Sequence, residues 1–184
     1  MSKVVVIGTG TMAIGIAASF LASGADMIIL GRSVEKAKSC LDPTKTCADS
    51  IISAWSQNNP TMQYGDIETW QDWNAVDLVI ETVSERLDLK KEIFTKLDQR
   101  VPIHIPIGSN SSGFPISDIA DGLSTANRMF NTHYFMPAHI VPLVEVVAGS
   151  QSDLVMAEKL CAFYRAHGKK PVLVKKDIPG FLAN

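Results

Sequence analysis

The chain has 184 residues, of which 46% are hydrophobic and 20% charged, and 17 Lys and Arg stand against 19 Asp and Glu for a formal net charge of -2. That length holds one domain with a real hydrophobic core and excludes both a disordered chain and a multidomain machine. Neither sign of charge gathers into a run, so neither nucleic acid nor a membrane surface is an expected partner, and no apolar stretch reaches the roughly 20 residues of a membrane span.

Taken in chain order, the β-branched run at residues 4–7 predicts a first strand, then Gly8-Thr9-Gly10-Thr11 and a small, apolar helix over residues 12–22. The glycine interruption is unlike the interior of a secretory signal. A second strand is expected at 27–30. Residues 33–73 break the rhythm with Pro43, Asn58-Asn59-Pro60 and Gly65, and are read as an excursion from the sheet holding one helix over residues 46–55. Strands are then predicted at 78–80, 103–107, 144–147 and 171–174. The helix over 87–97 carries Leu87, Ile93, Phe94 and Leu97 on one side with lysines opposite, and another over 153–167 is stopped by Gly168. Alternating strand and helix builds parallel βαβ units with right-handed crossovers. The expected fold class is therefore α/β: a doubly wound, mostly parallel, Rossmann-like sheet in one domain over residues 1–184. Cys40, Cys47 and Cys161 make no CxxC pair, which argues against a disulfide framework or a metal site and points to a reducing, cytoplasmic compartment.

Gly8-Thr9-Gly10-Thr11-Met12-Ala13 stands where strand gives way to helix, the context that gives a GxGxx(G/A) string its meaning. Gly8 permits the tight turn and Gly10 lets a pyrophosphate approach the backbone. The helix opening at Thr11 and Met12 offers free N–H groups and a positive dipole, so a dinucleotide is the expected ligand. Where an NAD site places an acidic residue for the ribose hydroxyls, this chain has Gly31, followed by Arg32 and Ser33. A vacated position, a guanidinium and a hydroxyl suit a 2′-phosphate and lean the cofactor to NADP. The alternative is NAD, with Arg32 stacked on adenine or left as a solvated loop charge.

Further along the chain stand Asp77-Leu78-Val79-Ile80-Glu81 with Glu85 and Lys90, Ser109-Asn110-Ser111-Ser112, His133-Tyr134-Phe135, Leu143-Val144-Glu145-Val146-Val147 and Asp177-Ile178-Pro179-Gly180-Phe181. With the glycine turn, in this order and spacing, they make the chain resemble the N-terminal, dinucleotide-binding domain of the L-3-hydroxyacyl-CoA dehydrogenase family. The resemblance implies that His133 is the catalytic base and Glu145 its orienting partner. It gives Ser112 and Asn184 as polar contacts to the reacting oxygen, and Glu85 and Lys90 as contacts on the nicotinamide side. It also implies a small-molecule substrate of the acyl-CoA type, a place in fatty acid metabolism, and absence of the family's helical C-terminal domain, which would begin where the chain ends. Met136-Pro137 stands where the family has Asn-Pro.

Oxidising a secondary alcohol to a ketone needs hydride loss to a nicotinamide and proton loss to a base that titrates near neutrality, a task suited to an imidazole held by a carboxylate. His133 at a strand's end and Glu145 in the next apolar run, separated by a loop with Pro137 and Pro142, can meet at the carboxyl edge of the sheet. Each candidate has a plainer reading: His133 as a satisfied core histidine, Glu145 as a solvent-facing residue of an edge strand, Ser112 as the cap of a helix beginning near Pro115. His139 is a candidate substrate contact, whereas His104 and His167 read as structural or exposed. The expected function is an NAD(P)-dependent oxidoreductase interconverting a secondary alcohol and a ketone. The alternative is a dinucleotide-binding module that turns over little by itself. Apolar surface near the last strand is expected to make the chain a homodimer.

Overall fold

Val4 to Ile7 are all buried because the first strand, β1 (Lys3–Ile7), lies inside a sheet covered on both faces. Val4 and Val6 pack toward one helical layer and Val5 and Ile7 toward the other, as the two-residue period of a strand requires. The computed structural model describes residues 1–51 and 59–182. After β1 come α1 (Thr11–Ala22), β2 (Asp26–Gly31), α2 (Val34–Lys38), α3 (Leu41–Ile51), β3 (Met62–Asp66), β4 (Leu78–Glu81), α4 (Leu87–Arg100) and β5 (Ile107–Ser109). They are followed by α5 (Ile116–Ile119), β6 (Met129–Tyr134), β7 (Leu143–Ala148), α6 (Leu154–Ala166) and β8 (Lys170–Val174). The sheet runs β3-β2-β1-β4-β5-β6-β7-β8, parallel throughout except for the β6/β7 pair. This is the doubly wound, mostly parallel, Rossmann-like α/β fold expected from the strand and helix alternation.

One helical layer holds α1, α3 and α6, and the other holds α4 and α5. Helix α1 is built of small residues because it is covered on two sides: beyond the sheet, a Cβ placed on Gly15 would lie 3.1 Å from the Ala138 Cβ. Asp153 caps α6 by accepting hydrogen bonds from the amides of Val155 (2.7 Å) and Met156 (3.3 Å). Among the described residues, no helix is long and apolar enough to cross a membrane.

Several sequence expectations are corrected. The span 33–73 is not wholly an excursion from the sheet, because within it β3 pairs in parallel with β2 from Met27↔Met62 to Gly31↔Asp66. Its sequence, Met-Gln-Tyr-Gly-Asp, is half-buried and polar because β3 is an edge strand, so it lacks the apolar run of an interior one. The helix expected at 46–55 begins earlier, at Leu41, and the last part of that expectation, residues 52–55, lies outside the described residues. The strand expected at 103–107 is displaced to Ile107–Ser109, since Pro102 and Pro106 interrupt that stretch and Ile103 lies exposed in a turn. Lys90, grouped with the solvent-facing lysines of α4, is buried.

Gly108 places β5 hard against β6: a Cβ there would stand 2.4 Å from the Thr132 hydroxyl oxygen. Gly108→Ala is expected to lower the unfolding free energy by about 1–3 kcal/mol, measured by urea denaturation, because Thr132 belongs to a strand that cannot retreat.

Candidate active site

A groove of about 860 Å³ opens at the carboxyl edge, lined by the turn over residues 8–12, by Arg32 and Lys36 on the β2 side and by residues 82–84 on the β4 side. The sheet order reverses between β1 and β4, so their following connections leave in opposite directions and the crevice between them is open. Gly8 has φ +130°, and a Cβ on it would lie 2.2 Å from the Thr82 hydroxyl oxygen. That hydroxyl and the Thr82 amide both donate to the Ile7 carbonyl, at 2.9 and 2.7 Å, tying the turn to β4. Gly10 is different, because a Cβ on it would meet no atom within 4 Å. Its missing side chain leaves open space over the start of α1, where a pyrophosphate would sit among free amides.

At the end of β2, Gly31 is buried and a Cβ there would lie 2.9 Å from Thr9 Cγ2, so this backbone has no room for an acidic side chain. The Ser33 hydroxyl accepts a hydrogen bond from the Lys36 amide (3.3 Å), capping α2. Arg32 and Lys36 are exposed, and among the described residues neither side chain makes a hydrogen bond or ion pair.

Next along the edge, β6 continues for three residues past the register at which β5 ends, Ser109↔Asn131, and carries His133 with it. In the antiparallel pairing His133 stands opposite Glu145, and its Nδ1 lies 2.8 Å from Glu145 Oε2. Strand β7 lies between β6 and β8 rather than at an edge, so both side chains are buried, His133 at 3% and Glu145 at 2% exposure. The second carboxylate oxygen, Oε1, accepts a hydrogen bond from the Leu182 amide (3.1 Å). Phe135 meets the imidazole edge-on at 4.6 Å between centroids, and Phe181 packs on it at 5.6 Å. The loop between β6 and β7 is anchored by Lys169, whose ammonium donates to the carbonyls of Ala138 (2.6 Å) and Val141 (3.1 Å) and is pushed down to about 8 by burial. Met136 and Ile140 on that loop, and Ile178 and Leu182 on the tail, are exposed apolar side chains.

The β5–α5 turn carries Ser112, which is exposed, and donates the Ser112 and Gly113 amides to Glu85 Oε1 at 3.1 and 3.0 Å. The Ser111 hydroxyl oxygen accepts from the Phe114 amide at 2.9 Å, and the first amides of α5, those of Ile116 and Ser117, donate to Asn131 Oδ1 and Asp177 Oδ2, each at 2.8 Å. Glu85 and Lys90 are joined to each other, Nζ to Oε2 at 3.2 Å, and neither lines the groove, Lys90 being buried and Glu85 partly exposed. Asn184 is outside the described residues, and His139 is half-buried in the β6–β7 loop. The sequence reading gave no role to Glu81, Ser111 and Lys36. Glu81 carried a signal like that of Glu145, a carboxylate within an apolar run.

A family model described as the NAD-binding domain of 3-hydroxyacyl-CoA dehydrogenase matches residues 3–178. Among curated proteins, 5-formyl-3-hydroxy-2-methylpyridine 4-carboxylate 5-dehydrogenase from Mesorhizobium japonicum is 31% identical over 99% of this chain and 60% of its own length. The 3-hydroxyadipyl-CoA dehydrogenase of Escherichia coli is 32% identical over 100% of this chain and 40% of its own length. A crystal structure of 5-formyl-3-hydroxy-2-methylpyridine 4-carboxylic acid 5-dehydrogenase, described as an NAD+-dependent dismutase, superposes with a TM-score of 0.85 at 30% identity over 99% of this chain and 60% of that one. The chain thus spans 60% or less of the length of these relatives.

The two turn glycines are expected to separate stability from binding. Gly8→Ala, strained at positive φ and blocked by Thr82, should cost at least about 2 kcal/mol of stability by urea denaturation. Gly10→Ala should leave the denaturation midpoint nearly unchanged yet weaken dinucleotide binding about tenfold or more by calorimetric titration, since its methyl group enters the space a pyrophosphate needs.

Proposed function

The chain belongs to the 3-hydroxyacyl-CoA dehydrogenase family as its NAD-binding domain, and on that premise we propose that it is an NAD(P)-dependent oxidoreductase interconverting a secondary alcohol and a ketone on a 3-hydroxyacyl thioester. The observation that carries the reading is the buried 2.8 Å contact between His133 and Glu145 at the carboxyl edge. The residues around the groove fit a dinucleotide: an uncrowded Gly10, the start of α1 and two exposed cations on the β2 side. When bound, the nicotinamide supplies the acceptor for the substrate's hydride.

Glu145 fixes the imidazole with Nδ1 toward the carboxylate, which leaves Nε2 as the proton acceptor for the substrate hydroxyl and stabilises the imidazolium that results. In the reverse direction the same nitrogen returns the proton to the ketone oxygen. Phe135 and Phe181 keep water from the pair, so the carboxylate acts in a low-dielectric surrounding where its field is strong. Ser112, held by the amide contacts of its turn, serves as a hydroxyl donor to the reacting oxygen. The exposed Met136, Ile140, Ile178 and Leu182 form an apolar rim that suits an acyl substrate or a second copy of the chain in a homodimer.

The phosphate end of the cofactor is read from the β2 side. Gly31 excludes a carboxylate, and Arg32 with Lys36 supplies a guanidinium and an ammonium that make no hydrogen bond or ion pair among the described residues, which favours a 2′-phosphate and hence NADP(H). Calorimetric titration is expected to give tighter binding of NADPH than NADH, with Arg32→Ala removing about 1–3 kcal/mol of the difference. Equal affinities, or a preference for NADH, would remove the phosphate assignment and leave the dinucleotide. For the reaction itself, reduced nicotinamide should appear when 3-hydroxyacyl-CoA thioesters of graded chain length are supplied with oxidised cofactor. A chain that binds dinucleotide and turns over none of them is a binding module.

A further inference from the structure

Lys90 is 1% exposed on a helix whose other lysines, Lys91 and Lys96, are half-buried, and Glu81, its partner at 2.9 Å, is 0% exposed at the end of β4. Removing both charges from water is costly, and a pair of similarly sized apolar side chains would fill the space with no loss of stability. The arrangement of the remaining hydrogen bonds indicates what the charges do. Glu81 Oε1 accepts from Lys90 Nζ and from the Val83 amide (2.6 Å), and Oε2 accepts from Lys90 Nζ (3.2 Å) and from the Ser109 hydroxyl (2.6 Å). The Ser109 hydroxyl oxygen in turn accepts from the Ser111 amide at 3.2 Å. Lys90 reaches past Glu81 to Glu85 Oε2 at 3.2 Å. That leaves Glu85 Oε1 free to gather the Ser111 hydroxyl and the amides of Ser112 and Gly113.

The charges therefore alternate, carboxylate, ammonium, carboxylate, from a buried strand end to a half-exposed turn. Against its partial burial, which raises it, the Ser111 hydroxyl and the Lys90 ammonium hold the Glu85 carboxyl below the usual carboxylate range. Glu81 also stands in register with Ile7, the residue before the dinucleotide turn, and with Ser109, the residue before the serine turn. One buried group thus touches the roots of both turns.

We propose that Glu81 and Lys90 are positioning residues: through Glu85 they fix the 111–113 turn relative to the dinucleotide turn, and so set where the Ser112 hydroxyl stands. The proposal goes beyond the assignment of a proton acceptor and rests on that reading only for its effect on turnover. A purely structural pair could be replaced without effect on the 111–113 turn, whereas replacing this one should loosen it.

The test is the double variant Glu81→Leu/Lys90→Met, read by thermal melting, by amide hydrogen exchange and by kinetics. It should melt close to the parent chain, while the Ser112 and Gly113 amides exchange about tenfold faster. Turnover should fall about tenfold, with the dinucleotide dissociation constant changed by less than about threefold. Parent-like exchange at Ser112 and Gly113 in a well-folded double variant overturns the proposal whatever the kinetics show, because that readout needs no activity. Faster exchange with no turnover in the parent chain either would instead count against the proposed reaction alone. Should the double variant not fold, Glu81→Gln preserves shape and removes the charge. Exchange must then rise at Ser112 and Gly113 more than in β4 and α4, and a uniform rise or none overturns the proposal.

Discussion

A glutamate between Val144 and Val146 in an interior strand costs several kcal/mol unless its carboxylate finds partners inside the protein. Glu145 finds two, the His133 imidazole on one oxygen and the Leu182 amide on the other. The first contact orients the only ring nitrogen that could face a substrate. The second brings the tail that carries Phe181 over the imidazole, so the same carboxylate that needs burial also recruits the group that buries it. The antiparallel turn of β7 against β6 is what makes this possible, since it sets Glu145 directly across from His133 on the same face.

The sheet solves the same problem a second time at Glu81, with a different partner. There burial raises the carboxyl, and a lysine, a serine hydroxyl and a backbone amide oppose it. An ammonium with several acceptors around it suits a group that holds turns in place, whereas an imidazole suits one that takes and gives a proton. The dinucleotide turn, the Ser112 turn and the His133 strand end all emerge at the carboxyl edge because their strands, β1, β5 and β6, are parallel.

What could be read from the sequence follows the range of the interaction responsible. The glycine turn and the helix after it are local, so Gly8, Gly10 and α1 are legible from a dozen residues. The pairing of His133 with Glu145 was inferable because a carboxylate in an apolar run demands a partner, and a histidine twelve residues away on the preceding strand could supply one. Strand β3 was hidden because an edge strand shows little apolar pattern, and the inward turn of Lys90 because amphipathic reading assigns lysines to solvent. Ser111 and Ser112 are neighbours of one type, and only the fold buries one against Glu85 and leaves the other exposed at the surface of the site.

The central claim is that the Glu145 carboxylate acts on the proton and not on the cofactor. Steady-state turnover and dinucleotide affinity measured together on Glu145→Gln test it most directly. A loss of about a hundredfold or more in kcat with the dinucleotide dissociation constant within about twofold of the parent value is the predicted result. Full turnover in that variant, or a loss of dinucleotide affinity as large as the loss of turnover, would contradict the account.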